Sequence, residues 1–244
     1  MFKNKTVIIT GASVGIGRAC ALLFAEKGAN VVLIDYNSET LKILENEIKS
    51  ITDNYLTFVC DVSDNNTVRE VVSGSYERFG NVDILVNNAA LWRYRAEFSQ
   101  SDIEEWKKYF DINVMGTVYF TKAVIDKMIE NNYGRIINVA SVAGVYGNAK
   151  MVHYSATKGA VISFTKALAK EVAEKGITVN AVSPGSVSPS DNSDIDYFQP
   201  SNLSFSGRTG TARENAELIC FLAGDNAAYI NGQNIQIDGC RKKQ

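Results

Sequence analysis

The 244-residue chain holds one histidine, His153, and four cysteines. A hydrolase built on serine, histidine and an acid would have to use His153, and no G-x-S-x-G elbow accompanies it. Cys20, Cys60, Cys220 and Cys240 lie far apart with no metal-ligand spacing. No metal is therefore expected, and reduced thiols in a cytoplasm are. No run of about 18 apolar residues is present, so no membrane span is expected. Charge of one sign is also missing: 25 Lys and Arg face 27 Asp and Glu, for a net −2 and a pI near 5.6. That balance implies no broad basic surface for nucleic acid. The first residues, MFKNKTVIITG, enter a strand pattern directly. A secretory leader would need a longer apolar stretch and a small-residue cleavage site, so none is expected. No linker, repeat or low-complexity tract interrupts the chain.

What the chain does have is alternation. Apolar runs of strand length stand at 6–10, 30–35, 55–60, 82–88, 134–141, 177–185 and 234–239. Helical patterns separate them, at 16–27, to about 50, at 65–79, over a long region clearest at 106–129, at about 154–175 and at about 213–223. Continuous Val, Ile and Leu runs suit strands covered on both faces, as in parallel sheets. The expected fold is α/β: a single Rossmann-type, doubly wound parallel sheet of about seven strands with helices on both faces, one domain over 1–244. One irregular stretch, 186–211, is long enough to predict a functional or mobile loop.

The first strand runs into "TGASVGIG", Thr10 to Gly17. Gly11, Gly15 and Gly17 between a strand and a helix allow a tight turn and close backbone approach to a ligand. The helix start offers free N–H groups and a partial positive charge to a pyrophosphate. The second strand ends in Asp35, where a dinucleotide fold places an acid against the adenosine ribose hydroxyls. A 2′-phosphate would meet repulsion there, and neither Val14 nor Tyr36 supplies a cation. The expected cofactor is NAD. A solvated strand end or a helix cap is the structural alternative for Asp35.

"YSATK" puts Tyr154 and Lys158 four apart, on one face of a helix. An ammonium beside a phenol eases formation of the phenolate, so the pair could exchange a proton with a carbonyl or an alcohol. Around it stand Asn113 in "DINVMG", Ser141 after the fifth strand, Asp61-Val62 after the third, Asn87-Asn88-Ala89-Ala90, and Pro184-Gly185. In this order the motifs resemble the short-chain dehydrogenase/reductase family over nearly the whole chain.

The resemblance implies roles. Tyr154 would exchange the proton, Lys158 would lower the tyrosine pKa and bind the nicotinamide ribose, Ser141 would hold the substrate oxygen, and Asn113 would hold the lysine through water. Cofactor contacts would come from Gly11, Ser13, Val14, Gly15, Ile16, Gly17, Asp35, Tyr36, Asp61, Val62, Asn88, Ala89, Tyr154, Lys158, Pro184, Gly185, Val187 and Ser188. The chain departs from the family pattern at three places. Ala90 replaces a glycine, Cys240 stands where a second glycine often ends the chain's "DGG", and Ser188, followed by Pro189, replaces a threonine. The family's substrate lid falls on 186–211.

For the substrate side, Trp92, Tyr94, Tyr146 and Asn148 are candidates, with Arg93 and Arg95 available to an anion. Packing of the loop's aromatics on the next helix is the structural alternative. His153 points about 100° away from Tyr154 round the helix and is expected to pack. The implied activity is NAD-dependent interconversion of a small-molecule secondary alcohol and a ketone. A 3-oxoacyl-[acyl-carrier-protein] reductase is the second reading, against which Val14 and Asp35 speak, because those reductases more often use NADPH. A dinucleotide sensor without catalysis is the third. By resemblance a homotetramer or homodimer is expected, with no membrane or nucleic-acid partner.

Overall fold

In the computed structural model, residues 1–188 and 194–242 are described. β1 (Thr6–Thr10), β2 (Asn30–Asp35), β3 (Tyr55–Val59), β4 (Ile84–Asn87), β5 (Gly134–Val139), β6 (Ile177–Pro184) and β7 (Asn234–Ile237) form one parallel sheet in the order 3-2-1-4-5-6-7. The strands begin and end within a few residues of the apolar runs. β1, β4, β5 and β6 are buried along their whole length, which is why they read as unbroken apolar segments.

Alternate residues of each strand serve opposite layers. Val7 and Ile9 join a core with α1 (Gly15–Glu26), α2 (Ser38–Lys49) and α8 (Ala212–Ala223). Ile8, between them, joins the other core with α3 (Asn65–Phe79), α5 (Gly116–Glu130) and α7 (Val152–Val172). α4 (Ile103–Phe110) packs on α7, and the one-turn α6 (Val142–Tyr146) follows the carboxyl end of β5 and touches β6 and α7.

The chain leaves β1 for one face and β4 for the other. This reversal opens a crevice at the carboxyl ends of adjacent strands, where open α/β sheets bind ligands. The long helical region expected at 106–129 is interrupted. Asp111–Met115 forms a wider turn in which the Gly116 N–H reaches back to Asp111 O, so α4 and α5 are separate helices around Asn113. Such π-turns are rare and mark functional positions.

The 186–211 stretch is more tied down, where described, than a loop reading implies. Residues 189–193 lie outside the described part. Val187 bridges to Gly210, and Ser188 N donates to Gly210 O at 3.1 Å. Pro200 and Ser204 bridge to Arg208 and Arg241. The tail closes over this segment: Phe205 N donates to Cys240 O at 2.9 Å, Ser206 N to Gly239 O at 3.1 Å and Lys242 N to Leu203 O at 3.0 Å.

Candidate active site

The glycine turn is held by backbone contact. Gly11 has φ +61°, a conformation glycine takes without strain. A Cβ on Gly17 would stand 2.0 Å from Gly11 O, so only glycine lets α1 start this close to β1. Asn88 fastens the turn from the β4 side, its Nδ2 donating to Thr10 O at 3.0 Å and Gly11 O at 2.9 Å. The Thr10 hydroxyl in turn accepts from the N–H groups of Asn88 and Ala89, at 3.0 and 3.1 Å. The motif TGASVGIG opens with Thr10, but the motif alone assigns its hydroxyl no partner. Its role follows from two chain segments meeting, which motif spacing does not reveal.

α1 begins after Val14, whose side chain caps nothing. Asn37, Asp64, Asp102 and Thr211 do cap α2, α3, α4 and α8. The first turn of α1, Gly15, Ile16 and Gly17, thus keeps donors and positive dipole character for an anion at the crevice. This fits the pyrophosphate of a dinucleotide.

Asp35 closes β2 beside this turn and is nearly buried. Its Oδ2 accepts from Ser13 N at 3.0 Å and Ser13 Oγ at 2.6 Å, and its Oδ1 accepts from Asn37 N at 3.1 Å. An ionised carboxylate has about four acceptor sites, so about one is left for a ribose hydroxyl. The arrangement is tighter than a free strand-end acid would have. Tyr36 is 76% exposed next to it. Arg18 is held by Glu47 in a two-pronged pair, Nε to Oε2 at 2.9 Å and Nη2 to Oε1 at 2.8 Å. At the end of β3, Asp61 accepts from Ser63 N and Oγ, and Val62 packs against Gly116.

Tyr154 and Lys158 lie one turn apart on α7, as their spacing predicts. The Lys158 ammonium is buried and donates to Val139 O at the end of β5, 2.7 Å away. It stands 5.9 Å from the centre of the Tyr154 ring. Burial pulls the lysine down to about 8. Burial also pushes the Tyr154 phenol up, with the Ser141 hydroxyl, in hydrogen-bonding range, working against it. In this geometry the phenol holds its proton at neutral pH, which suits a proton donor. The lowering expected from Lys158 is not what dominates here.

Ser141 caps α6, its Oγ accepting from Ala143 N at 3.1 Å. Gly144 lets this short helix rest directly on α7: a Cβ there would be 2.5 Å from the Lys158 carbonyl carbon. That close approach brings Ser141 to Tyr154. Asn113 is buried, and its amide clamps the loop after β4, with Oδ1 accepting from Leu91 N at 2.7 Å and Nδ2 donating to Leu91 O at 3.0 Å. The same Nδ2 donates to Thr157 Oγ1 at 3.1 Å. Gly144 and Thr157 were not singled out from sequence, although Thr157 sits inside YSATK.

Pro184 ends β6, and Gly185 passes so close to Asp238 that a Cβ would be 2.8 Å from its Cα. Ser188 Oγ pairs with Thr209 Oγ1 at 2.8 Å. Of the residues read for the substrate side, Trp92 is 44% exposed with Arg93 stacked over its ring. The polar atoms of the other three are engaged within the protein. Tyr94 Oη accepts from Asp102 N at 3.1 Å, Tyr146 Oη donates to Gln236 Oε1 at 2.6 Å, and Asn148 Oδ1 accepts from Arg241 at 3.1 Å. Tyr94, Trp106 and Tyr109 enclose the His153 ring, with centroids 5.2, 5.9 and 4.4 Å away. His153 is buried and packs, as its direction on the helix suggests.

A sequence model of the short chain dehydrogenase family matches residues 5–196. The chain belongs to that family. It is also 38% identical, over 97% of both chains, to a 3-oxoacyl-[acyl-carrier-protein] reductase of Thermotoga maritima. Among solved structures it resembles a levodione reductase, with a TM-score of 0.90, 32% identity and 98% of each chain covered. It resembles an NAD+-bound xylitol dehydrogenase equally, with a TM-score of 0.90, 32% identity, and 98% of this chain and 99% of that one covered. The protein is therefore an oxidoreductase of a family that uses a nicotinamide dinucleotide, NAD or NADP. Among the described residues no group of acids, cysteines and histidine could hold a metal ion, and no helix is long and apolar enough to cross a membrane.

Proposed function

We propose that this short-chain dehydrogenase interconverts a small secondary alcohol and a ketone with NAD(H). The observation that carries the cofactor half is Asp35, a carboxylate fixed by Ser13 and Asn37 beside the glycine turn. The nicotinamide ring, when bound, supplies or accepts the hydride. The chain's residues do the rest. Gly11 to Gly17 and Asp35 would take the adenosine end and the pyrophosphate, and Lys158 and the 184–188 segment the nicotinamide end. Ser141 would orient the substrate oxygen by hydrogen bonding. Tyr154 would give that oxygen a proton in reduction and take it back in oxidation.

A 2′-phosphate beside Asp35 would lose a hydrogen bond and add like-charge repulsion. Hydrogen bonds to charged groups are worth about 1.5–3 kcal/mol, so NAD should be preferred by at least about tenfold. The test is kcat/KM with NADH and NADPH across a panel of ketones, on wild type and Asp35→Ala. The variant should narrow the gap. A wild-type preference for NADPH, or a ratio untouched by the substitution, would overturn the cofactor assignment.

A 3-oxoacyl-[acyl-carrier-protein] reductase is the second reading, favoured by the Thermotoga relative. A 3-oxoacyl thioester is also a ketone, so the catalytic residues serve both, and a β-ketoacyl thioester belongs in the panel. We further propose a homotetramer or homodimer in the cytoplasm. Phe98 and Ile103, 67% and 62% exposed, lie on the α4 side with Phe110 and would be covered by a second copy. Light scattering on the purified protein measures the assembly.

A further inference from the structure

α7 carries two fully buried threonines, Thr157 and Thr165, two turns apart. Both accept from an asparagine and donate to their own helix. Thr165 Oγ1 accepts from Asn138 Nδ2 at 2.9 Å and donates to Val161 O at 2.8 Å. Thr157 Oγ1 accepts from Asn113 Nδ2 at 3.1 Å and donates to Tyr154 O at 2.8 Å. The chemistry is the same but the partners differ. Asn138 lies within the sheet, whereas Asn113 sits in the π-turn and clamps Leu91. Val161 is a core residue, whereas Tyr154 is the proposed proton donor. Tyr154 O is also the acceptor that the helix ladder assigns to the Lys158 N–H, four residues on.

The direction of each bond is forced. A carbonyl only accepts, so the Thr157 proton must go to Tyr154 O. The hydroxyl oxygen is then left to accept, so the nitrogen of the Asn113 amide must face Thr157. This agrees with the other clamp, where Oδ1 meets the Leu91 N–H and Nδ2 meets Leu91 O. An unbroken chain runs from the loop after β4 through Asn113 and Thr157 to the peptide between the two reacting side chains. Thr165 makes the same two bonds, and what sets Thr157 apart is where they lead: through Asn113 to Leu91, and to the carbonyl of Tyr154 itself.

We infer that Thr157 is a positioning residue, whose hydroxyl locks the Asn113 turn to the catalytic turn of α7 and so sets where Tyr154 and Lys158 stand. This rests on the function proposed above. Thr157→Val keeps the shape and removes donor and acceptor together. Displacing a reacting group by about 1 Å can cost about 100-fold, so kcat should fall by about 10- to 100-fold. KM for the dinucleotide should rise by a smaller factor than kcat falls, since its glycine turn and Asp35 are untouched and only its contact with Lys158 is disturbed. Thr157→Ser should restore most of the turnover. Thr165→Val supplies the structural control: a similar fall in melting temperature with kcat unchanged. Should Thr157→Val not fold, Thr157→Ala removes the hydroxyl at the cost of a small cavity and is read the same way.

A double-mutant cycle with Asn113→Ala gives the second readout. If the two act as one chain, removing Thr157 should cost little more once Asn113 is gone. Equal kcat in Thr157→Val and wild type would overturn the inference, as would equal losses in Thr157→Val and Thr165→Val or full additivity in the cycle. Tyr154→Phe, assayed alongside, separates failures: an active Tyr154→Phe would sink the proposed mechanism, and an inactive one with active Thr157→Val sinks only the role of Thr157.

Discussion

On the dinucleotide side of the crevice, main chain meets main chain. Gly17 lies against Gly11, and the Asn88 side chain, just past β4, donates to the carbonyls of Gly11 and Thr10 at 2.9 and 3.0 Å. On the proposed substrate side, side chains and a tail do the holding. Tyr146 reaches Gln236, and Asn148 is reached by Arg241. The first wall is tight at its glycines: a Cβ added at Gly11 or Gly17 meets backbone. The second is a set of replaceable polar contacts, each worth about 0.5–1.5 kcal/mol net.

Tyr154 stands between the walls, and its loss should have the largest effect. Tyr154→Phe keeps the ring and removes the proposed proton donor. General acid–base catalysis is worth about 10²–10⁴-fold, so kcat should fall by that factor while the melting temperature holds. Stopped-flow or steady-state turnover measures it, and half the wild-type kcat would refute the assigned role.

The rigid wall is probed at Gly17. In Gly17→Ala the new methyl would stand 2.0 Å from Gly11 O, so α1 must move away from β1. Overpacking of this kind costs about 1–3 kcal/mol or more. The urea midpoint should drop and dinucleotide binding weaken together, by calorimetry on the same sample. Unchanged affinity would mean that the turn has slack the geometry does not show.

Beneath both walls lies Lys158, and here the test is pH. Its ammonium is brought down to about 8 by burial, from an ordinary value of 10.5. Below pH 8 folded and unfolded chains both carry the proton, and the folded state bears the full cost of burying it. Between pH 8 and 10.5 the unfolded chain binds more protons than the folded one, so stability rises with pH. At about 1.36 kcal/mol per pKa unit, cofactor-free wild type should gain about 2 kcal/mol over Lys158→Met between pH 7 and 10. Urea midpoints of the two proteins at both pH values give the difference. A gap that stays constant would show that the lysine is less desolvated than its position implies.

The two walls also differed in how far they could be read from sequence. All seven strands were legible: the inner ones because burial on both faces leaves an unbroken apolar run, and the part-exposed edge strands β3 and β7 because polar loops delimit their short runs. Asp35, Ser141, Tyr154 and Lys158 were legible because each sits at a strand end or on one helix face, where spacing along the chain fixes position. The contacts of Thr10, Gly144 and Thr157 were not, because these partners lie 14 to 79 residues away and only the folded sheet brings them together. The break at Asp111–Met115 was hidden for another reason: a π-turn has no proline or capping residue to announce it. The substrate wall was least legible of all. Ser, Asn and Asp at 186–211 read as loop, yet their described part pairs with the last residues of the chain.

That pairing supplies the smallest test. Arg241 Nη2 donates to Asn148 Oδ1 at 3.1 Å, joining the tail to the loop between α6 and α7. The main-chain bonds of the tail to Leu203, Phe205 and Ser206 do not depend on the Arg241 side chain. Arg241→Ala should thus leave the tail in place and release only the 147–151 loop. A part-exposed contact of this kind is worth about 1 kcal/mol, or about fivefold. If the substrate wall is held by separable side-chain contacts, that change should appear in KM for the ketone, with KM for the dinucleotide and the urea midpoint nearly unmoved. Amide exchange should stay slow at Phe205 and Ser206 and quicken at Asn148, whose N–H bonds Ser155 Oγ. A shift in dinucleotide KM as large as that for the ketone would mean the two walls move as one body, and the contrast between them would fail.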